Sequence, residues 1–311
     1  MGGDRGTVLL FLEQVLNGLQ LGVMLFLMAA GLTLVLGIMN LVNLAHGSLY
    51  MVGAFVAATV AGWSGSFMFG LIVALPVTAL VGIAVEFIAL RHLYERDHLD
   101  QVLATFGLIL FFNEAASMIW GPRALFLDGP AWLSGAVEIV PGAPYPAFRL
   151  AIIVLGLIVA AGLYLLVTRT RLGMLIRAGA SNREMAGALG IDIKLLFTLV
   201  FGLGAMLAAL AGVMAGPIYA VEVGMGEHIL ILTFVVIVIG GIGSIRGALV
   251  GALLVGLVDT LGRAYLPTVL KLFASPATAD GVGASLASMA IYILMAAVLV
   301  WRPKGLFPAH G

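Results

Sequence analysis

Cysteine is absent from the 311 residues, which excludes disulfide frameworks, thiol nucleophiles and cysteine-ligated metal sites. Charge is scarce as well. Asp, Glu, Lys and Arg make up 10% of the chain, and the two signs cancel at 15 each, against about 25% charged residues in soluble domains. So sparse and balanced a charge offers no basic surface for nucleic acid. The lysines are Lys194, Lys271 and Lys304, followed by Leu, Leu and Gly. A phosphate-binding loop needs Gly-Lys followed by Ser or Thr, so no ATP site of that type is expected here. The histidines form no H-E-x-x-H pattern, and no Ser/His/Asp arrangement is visible. No catalytic, cofactor-binding or metal-binding residue is expected, and the chain does not read as an enzyme.

What is abundant is apolar sequence. Hydrophobic residues make up 62% and the mean hydropathy is +1.18, so the chain cannot present a water-compatible surface. It reads as an all-α, polytopic integral membrane protein. The 41 glycines suit helices that approach closely within lipid. Segments long enough to cross about 30 Å of hydrocarbon fall near 8–38, 44–62, 66–90, 99–120, 148–168, 195–216 and 284–301. An eighth region, 229–266, is cut by "GGIGSIRG" at 240–247 and reads as a broken or re-entrant hairpin. The expectation is eight to nine membrane segments in one domain over 1–311, with no room for a soluble domain.

Basic residues in short loops set orientation. Arg91, Arg96, Arg169, Arg171, Arg177, Arg183, Lys194, Arg246, Arg302 and Lys304 fall in one set of loops; Arg5, Arg123, Arg149, Arg263 and Lys271 fall in the other. Ten against five puts the first set in the cytoplasm, the N-terminus outside and the C-terminus inside. The 121–147 loop, rich in Pro and Gly, is then outside, a surface cover or a lid facing an extracytoplasmic partner, with Trp120 and Trp132 suited to the interface.

The longest basic loop is 169–194, "RTRLGMLIRAGASNREMAGALGIDIK". Ser181 and Glu184 have capping-box spacing, and Gly190 is placed to end the helix between them in a left-handed conformation. That helix, containing Asn182 and Arg183, has only about two turns and needs a docking partner to persist. Met185, Ala186 and Leu189 form its apolar stripe.

Glu184-Met185-Ala186-x-x-x-Gly190 resembles the cytoplasmic "EAA…G" loop of ABC importer permeases, with Met185 in the second position. "GLTLVLGIMNLVNLAHGSLYMVGAF", "RLGMLIRAGASNREMAGALGI", "VVIVIGGIGSIRGALVGALLVG" and the terminal "RPKGLF" extend the likeness over nearly the whole chain. Together they resemble the LivH-type permease subunits of branched-chain amino acid ABC transporters. The resemblance implies a bacterial inner-membrane subunit that forms a pathway for branched-chain or related hydrophobic amino acids. It implies a homologous LivM-like permease, a periplasmic substrate-binding protein and two cytoplasmic ATPase subunits, which hold the ATP and Mg. The 182–189 helix is then the coupling helix.

Polar residues interrupt the apolar segments at a few places. Glu13, Asn17 and Gln20 lie on one stripe of the first helix, whose 8–38 run would be roughly 46 Å long; Gln20 is deep enough to face protein or a cavity. Asn40, Asn43 and His46 mark the turn from the first segment to the second, with Asn43 an expected N-cap. Gly240, Gly241, Gly243 and Ser244 mark a second break. Broken helices with freed polar groups either satisfy a local turn or hold substrate and gates; these residues are therefore candidate pathway positions. Beside an ABC importer permease stands an ion-coupled secondary transporter of small amino acids, amides or carboxylates. That alternative needs an acidic site of its own in the core and leaves the capped loop helix unexplained.

Overall fold

The computed structural model describes residues 2–140, 142–273 and 275–308, with side chains described within that range except at residues 2–5 and 140. Eleven α-helices follow in order among the described residues: α1 Gly2–Met39, α2 His46–Ser64, α3 Phe67–Ile88, α4 His98–Trp120, α5 Ala147–Arg169, α6 Arg171–Ser181, α7 Arg183–Ala188, α8 Ile193–Ala215, α9 Met225–Gly240, α10 Ile245–Leu270 and α11 Pro276–Trp301. Eight are long and apolar enough to cross a membrane; α9, with 16 residues, is the shorter apolar helix. The protein is an all-α polytopic membrane protein. The broken hairpin expected over 229–266 is α9 and α10, turned at 241–244. The last helix starts at Pro276, well before the apolar run suggested, because Ser275 caps it by accepting from the Thr278 N–H and Pro276 opens it.

The strands among the described residues lie in the 121–147 loop, where β1 (Ala136–Val140) and β2 (Ala143–Pro146) form an antiparallel hairpin, Ala136 facing Pro146 and Val137 facing Tyr145. Tyr145 is buried beneath it and donates to Asn17 of α1, which also accepts from Arg149 at 2.7 Å. Burial raises the Tyr145 phenol above its usual range, and nearby Arg149 opposes that shift. The loop is thus anchored to the first helix rather than merely draped over the surface.

α1 is the central post of the fold. Residues 23–35 are almost all buried, and small residues let the neighbours close on them. A Cβ on Gly22 would lie 2.9 Å from the Ala252 carbonyl of α10, and one on Gly31 would lie 2.7 Å from the Gly204 carbonyl of α8. Such backbone-to-backbone approach is how helices associate where lipid gives no hydrophobic drive. By contrast α4 and α5 bury only one narrow stripe each, and their apolar outer faces suit hydrocarbon.

Contacts sort the loops to two ends. One end gathers the close of α1, the turns after α3 and before α8, the helices α6 and α7, the 241–244 turn and the terminal tail. Val42 donates to Gln101, Arg91 to Thr198, and the Leu306 and Phe307 N–H groups to the Ile239 and Gly240 carbonyls. The tail "RPKGLF" therefore satisfies the open C-terminus of α9, where Gly241 (φ 104°) and Gly305 (φ 82°) face each other too closely for a side chain on either. The opposite end gathers the 64–66 turn, the 125–132 segment and the hairpin. Eight long passes plus α9, reached from the opposite end through 216–224, bring the start of α1 and the tail after α11 to opposite ends.

Candidate functional site

Two regions hold the residues singled out in the sequence: the loop helices at the α6–α7 end, and the polar break between α1 and α2.

In the first region the short helix expected over 182–189 is α7, and a second helix, α6, precedes it. Thr170 accepts from the Gly173 N–H at 3.0 Å and starts α6, an 11-residue helix with Gly173, Ile176 and Gly179 buried against the bundle. A Cβ on Gly179 would meet Leu196 of α8 and Ile38 of α1. Its i, i+3, i+6 buried spacing was a signal present in the sequence and overlooked. Ser181 is the last residue of α6, not a cap. Asn182 turns extended, and its Oδ1 accepts from the Met185 N–H at 2.9 Å, so Asn182 is the cap of α7. The capping box of Ser181 with Glu184 is thereby corrected. An amide oxygen does what the hydroxyl was expected to do, one residue later, because Ser181 is still needed to finish the preceding helix.

The other end of α7 is as expected from Gly190. It adopts φ 87°, its N–H donates to Gly187, and Ile191 donates to Ala186 across the turn at 3.1 Å. These two bonds make a Schellman close, which only a residue without Cβ enters cheaply. Within the helix, Met185 is 59% and Leu189 77% exposed, whereas Ala186 is 3% exposed. The stripe is therefore split: Ala186 packs inward, and Met185 with Leu189 forms an apolar knob projecting outward beside exposed Arg183 and Glu184.

Just inside this end lies a network that holds the frame. Glu86 is fully buried near the close of α3 and accepts from Arg91 at 3.3 Å, from Tyr94 at 2.5 Å and from Thr198 of α8 at 2.8 Å. Tyr94 also packs edge-on to Phe197. Burial first, and then the bond to Glu86, pushes the Tyr94 phenol far above its usual range.

In the second region the polar residues are buried. Asn40 is the exception: it is exposed, adopts φ 52° and closes α1 by donating to Leu36. Asparagine tolerates this conformation better than most residues. Asn43 does not cap α2. Its Oδ1 accepts from the Ala45 N–H at 3.0 Å, a tight local turn, and the helix starts at His46 without a side-chain cap. The Asn43 Nδ2 group and both ring nitrogens of His46 are buried without a hydrogen-bond partner. His46 lies against Gly31, where a Cβ would come 3.0 Å from Nε2, and the Met28 carbonyl is near the ring without completing a bond. The next residue, Gly47, meets Gly226 at the start of α9 so closely that a Cβ on Gly226 would lie 2.0 Å from the Gly47 carbonyl. Two helix starts thus abut inside the bundle.

The remaining candidates are placed as follows. Gln20 is buried and its amide donates to the Met24 sulfur at 2.8 Å. Gly240 is pressed against Gly247, and Ser244 caps α10 by accepting from the Gly247 N–H. Gly243 lies at the mouth of two adjoining cavities shared with α1 and α6. The structure brings Gly243 and Asn40 together with Ser181, Asn182, Arg183 and Glu184 around one of them, about 600 Å³ in volume. Gln20, Asn43 and His46 do not line either of these two cavities. Asn113 donates to Glu227 across to α9 at 2.6 Å. The Asp259–Arg263 pair forms within α10, at 2.9 Å. Among the described residues no group of three metal-ligating side chains occurs.

Comparison with known proteins completes the description. The model for the branched-chain amino acid transport system permease component matches residues 14–299. The chain is 32% identical over 276 residues to the LivH permease of the high-affinity branched-chain amino acid transport system of Salmonella typhimurium, covering 85% of this chain and 89% of that one. It is 31% identical over 310 residues to the corresponding BraD protein of Pseudomonas aeruginosa, covering 95% of each. It is 26% identical to the ribose import permease RbsC of Escherichia coli, over 75% of this chain and 72% of that one. Among solved structures, a metal-chelate type ABC transporter in an inward-facing conformation aligns with 92% of this chain and 85% of its own at a TM-score of 0.49 and 18% identity, a likeness too loose to transfer helix positions.

Proposed function

The chain belongs to the family of branched-chain amino acid transport permease components, and from that premise we propose the division of labour within its transporter. It is the membrane-spanning permease subunit of an ABC importer for branched-chain or related hydrophobic amino acids. ATP and Mg are used by separate ATPase subunits, and substrate arrives on a separate binding protein. A second, homologous permease chain of the LivM kind completes the pathway. The α6–α7 end faces the cytoplasm, with the N-terminus outside, in the bacterial inner membrane. The ten-to-five partition of basic residues supports that orientation.

The observation that carries the coupling role is α7 itself. A helix of six residues with a cap at one end and a Schellman close at the other is specified far beyond what a connecting loop needs. It presents Met185 and Leu189 to the outside rather than to its own bundle. Such a knob fits a cleft on an ATPase subunit. Asn43 and His46, held at the abutting starts of α2 and α9 with polar atoms unpaired, are proposed as a gate that changes packing during the cycle. Unpaired buried polar groups lower the stability of the closed arrangement.

The test is co-purification. Met185→Glu with Leu189→Glu should abolish recovery of the ATPases with the membrane part while leaving its melting temperature in detergent unchanged. Full recovery of the ATPases with that variant would remove α7 from the interface.

A further inference from the structure

A second cavity, about 520 Å³, opens beside the loop helices between the last turns of α1 and α5, the middle of α6 and the first turn of α10. Its charged lining is one-signed among the described residues: Arg177 and Arg246 flank it, and no described carboxylate lines it. The remaining polar groups include Thr168, Ser181 and Ser244, and the start of the 26-residue α10 adds the positive end of its dipole. The inner wall is apolar, made by Leu34, Ile38, Val167 and Ile176. In that wall sits Thr33, 1% exposed, whose hydroxyl has no partner. Helical threonines commonly bond back to their own helix; this one has not.

We propose that this groove binds a membrane phospholipid with an anionic headgroup, the phosphate between Arg177 and Arg246 and the upper acyl region along Leu34, Ile38 and Val167. Both arginines are exposed and both are held in place. Arg246 lies over the Tyr164 ring at 4.9 Å and donates to its hydroxyl at 2.8 Å; Arg177 donates to the Val167 carbonyl. Each guanidinium has five N–H donors in a fixed fork, so donors remain for phosphate oxygens. The groove lies where apolar helices end and basic residues begin, which is the depth of the headgroups, and basic pockets between helices at that depth suit anionic lipid. A soluble phosphate would use the same arginines but would leave the apolar wall and Thr33 unused. The inference is independent of what the subunit transports.

Native mass spectrometry of the full chain in mild detergent, with phosphatidylglycerol and phosphatidylcholine supplied together, tests it. Phosphatidylglycerol should be retained selectively. Retention should fall about fivefold in Arg246→Gln and about twenty-five-fold in Arg177→Gln with Arg246→Gln, one surface charge at a time. Arg177→Lys with Arg246→Lys should keep most of it, and Arg302→Gln, a charge loss at the same end, should change nothing. Thr33→Val should weaken retention by a smaller factor. Melting temperatures of all variants separate loss of binding from loss of folding, and the exposed single variant Arg246→Gln carries the test where the double variant is unstable. Equal retention of both lipids, unchanged retention in Arg246→Gln, or displacement of the lipid by millimolar inorganic phosphate would each overturn the assignment.

Discussion

The break at 40–47 and the loop helix α7 both interrupt a greasy chain with polar residues, and they are built in opposite ways. At the break, polar atoms are buried and left unpaired while glycine backbones are pressed together. At α7, the Asn182 amide oxygen and the backbone groups at its close are used in capping, and Met185 and Leu189 are left outside. A buried polar group without a partner costs free energy, so the first arrangement persists only because tight packing around it holds. An exposed apolar knob on a capped helix is stable locally and incomplete globally. The first region is poised to rearrange within the subunit, the second to be covered by another.

The largest expected effect breaks the first region. Gly226→Val drives a methyl-bearing carbon into the Gly47 carbonyl, so α2 and α9 must separate. Overpacking of this kind costs about 1–3 kcal/mol or more, and little monodisperse protein should survive size-exclusion chromatography. Gly190→Ala in the other region strains one left-handed residue, about 1–2 kcal/mol, and should leave the bundle's melting temperature alone. Equal damage from both would erase the contrast.

Next comes the frame that separates the two regions. Glu86→Leu leaves Arg91 and Tyr94 without their carboxylate acceptor, while Thr198 keeps the Lys194 carbonyl. Because the Arg91 side chain is 25% exposed, the loss should be about 2 kcal/mol, below that of a fully buried pair. The same network gives a pH dependence. The Tyr94 phenol is raised above its ordinary 10.0 in the folded protein, so the folded state holds its proton more tightly than the unfolded one. Its contribution is complete below pH 10 and declines as pH rises above that value. Tyr94→Phe should flatten this alkaline decline, read as melting temperature against pH.

A smaller effect on stability, with a larger one on function, is expected at His46. Removing ring nitrogens that have no partners forfeits no hydrogen bond, so His46→Leu should change stability by no more than about 1 kcal/mol. If the break works as a gate, uptake by the reconstituted transporter should nevertheless fall. Normal uptake with normal stability would make His46 a packing residue only.

Much of this was legible beforehand. Long apolar runs give helices in lipid because no other open structure satisfies the backbone there, and the glycine turn at 240–247 was visible as a break. Gly190 was legible because few residues other than glycine close a helix that way. What the sequence did not yield were facts of packing. The pairing of Asn113 with Glu227 depends on a neighbour more than a hundred residues distant, and the placing of Ala186 inward and the burial of Asn43 and His46 depend on how the helices pack. The hairpin in the 121–147 loop was hidden for the same reason, since Tyr145 is held by Asn17, 128 residues away.

The finest effect distinguishes two adjacent residues of the loop. The sequence pattern assigned the cap of α7 to Ser181; the structure assigns it to Asn182, whose Oδ1 accepts from Met185 at 2.9 Å. Asn182→Ala should therefore cost about 1 kcal/mol, and the loss should be confined to α7. Ser181→Ala should cost a few tenths at most, since alanine ends α6 as well as serine does. Global melting is too blunt to see either change in a bundle of this size. Amide hydrogen exchange resolves them: the Met185 and Ala186 amides should exchange roughly fivefold faster in Asn182→Ala, by the 1 kcal/mol lost, and unchanged in Ser181→Ala. In the assembled transporter, docking that covers Met185 and Leu189 should suppress that difference. The reverse order, with Ser181→Ala the faster exchanger, would restore the hydroxyl as the cap. It would also place the start of α7 one residue earlier and turn its apolar face.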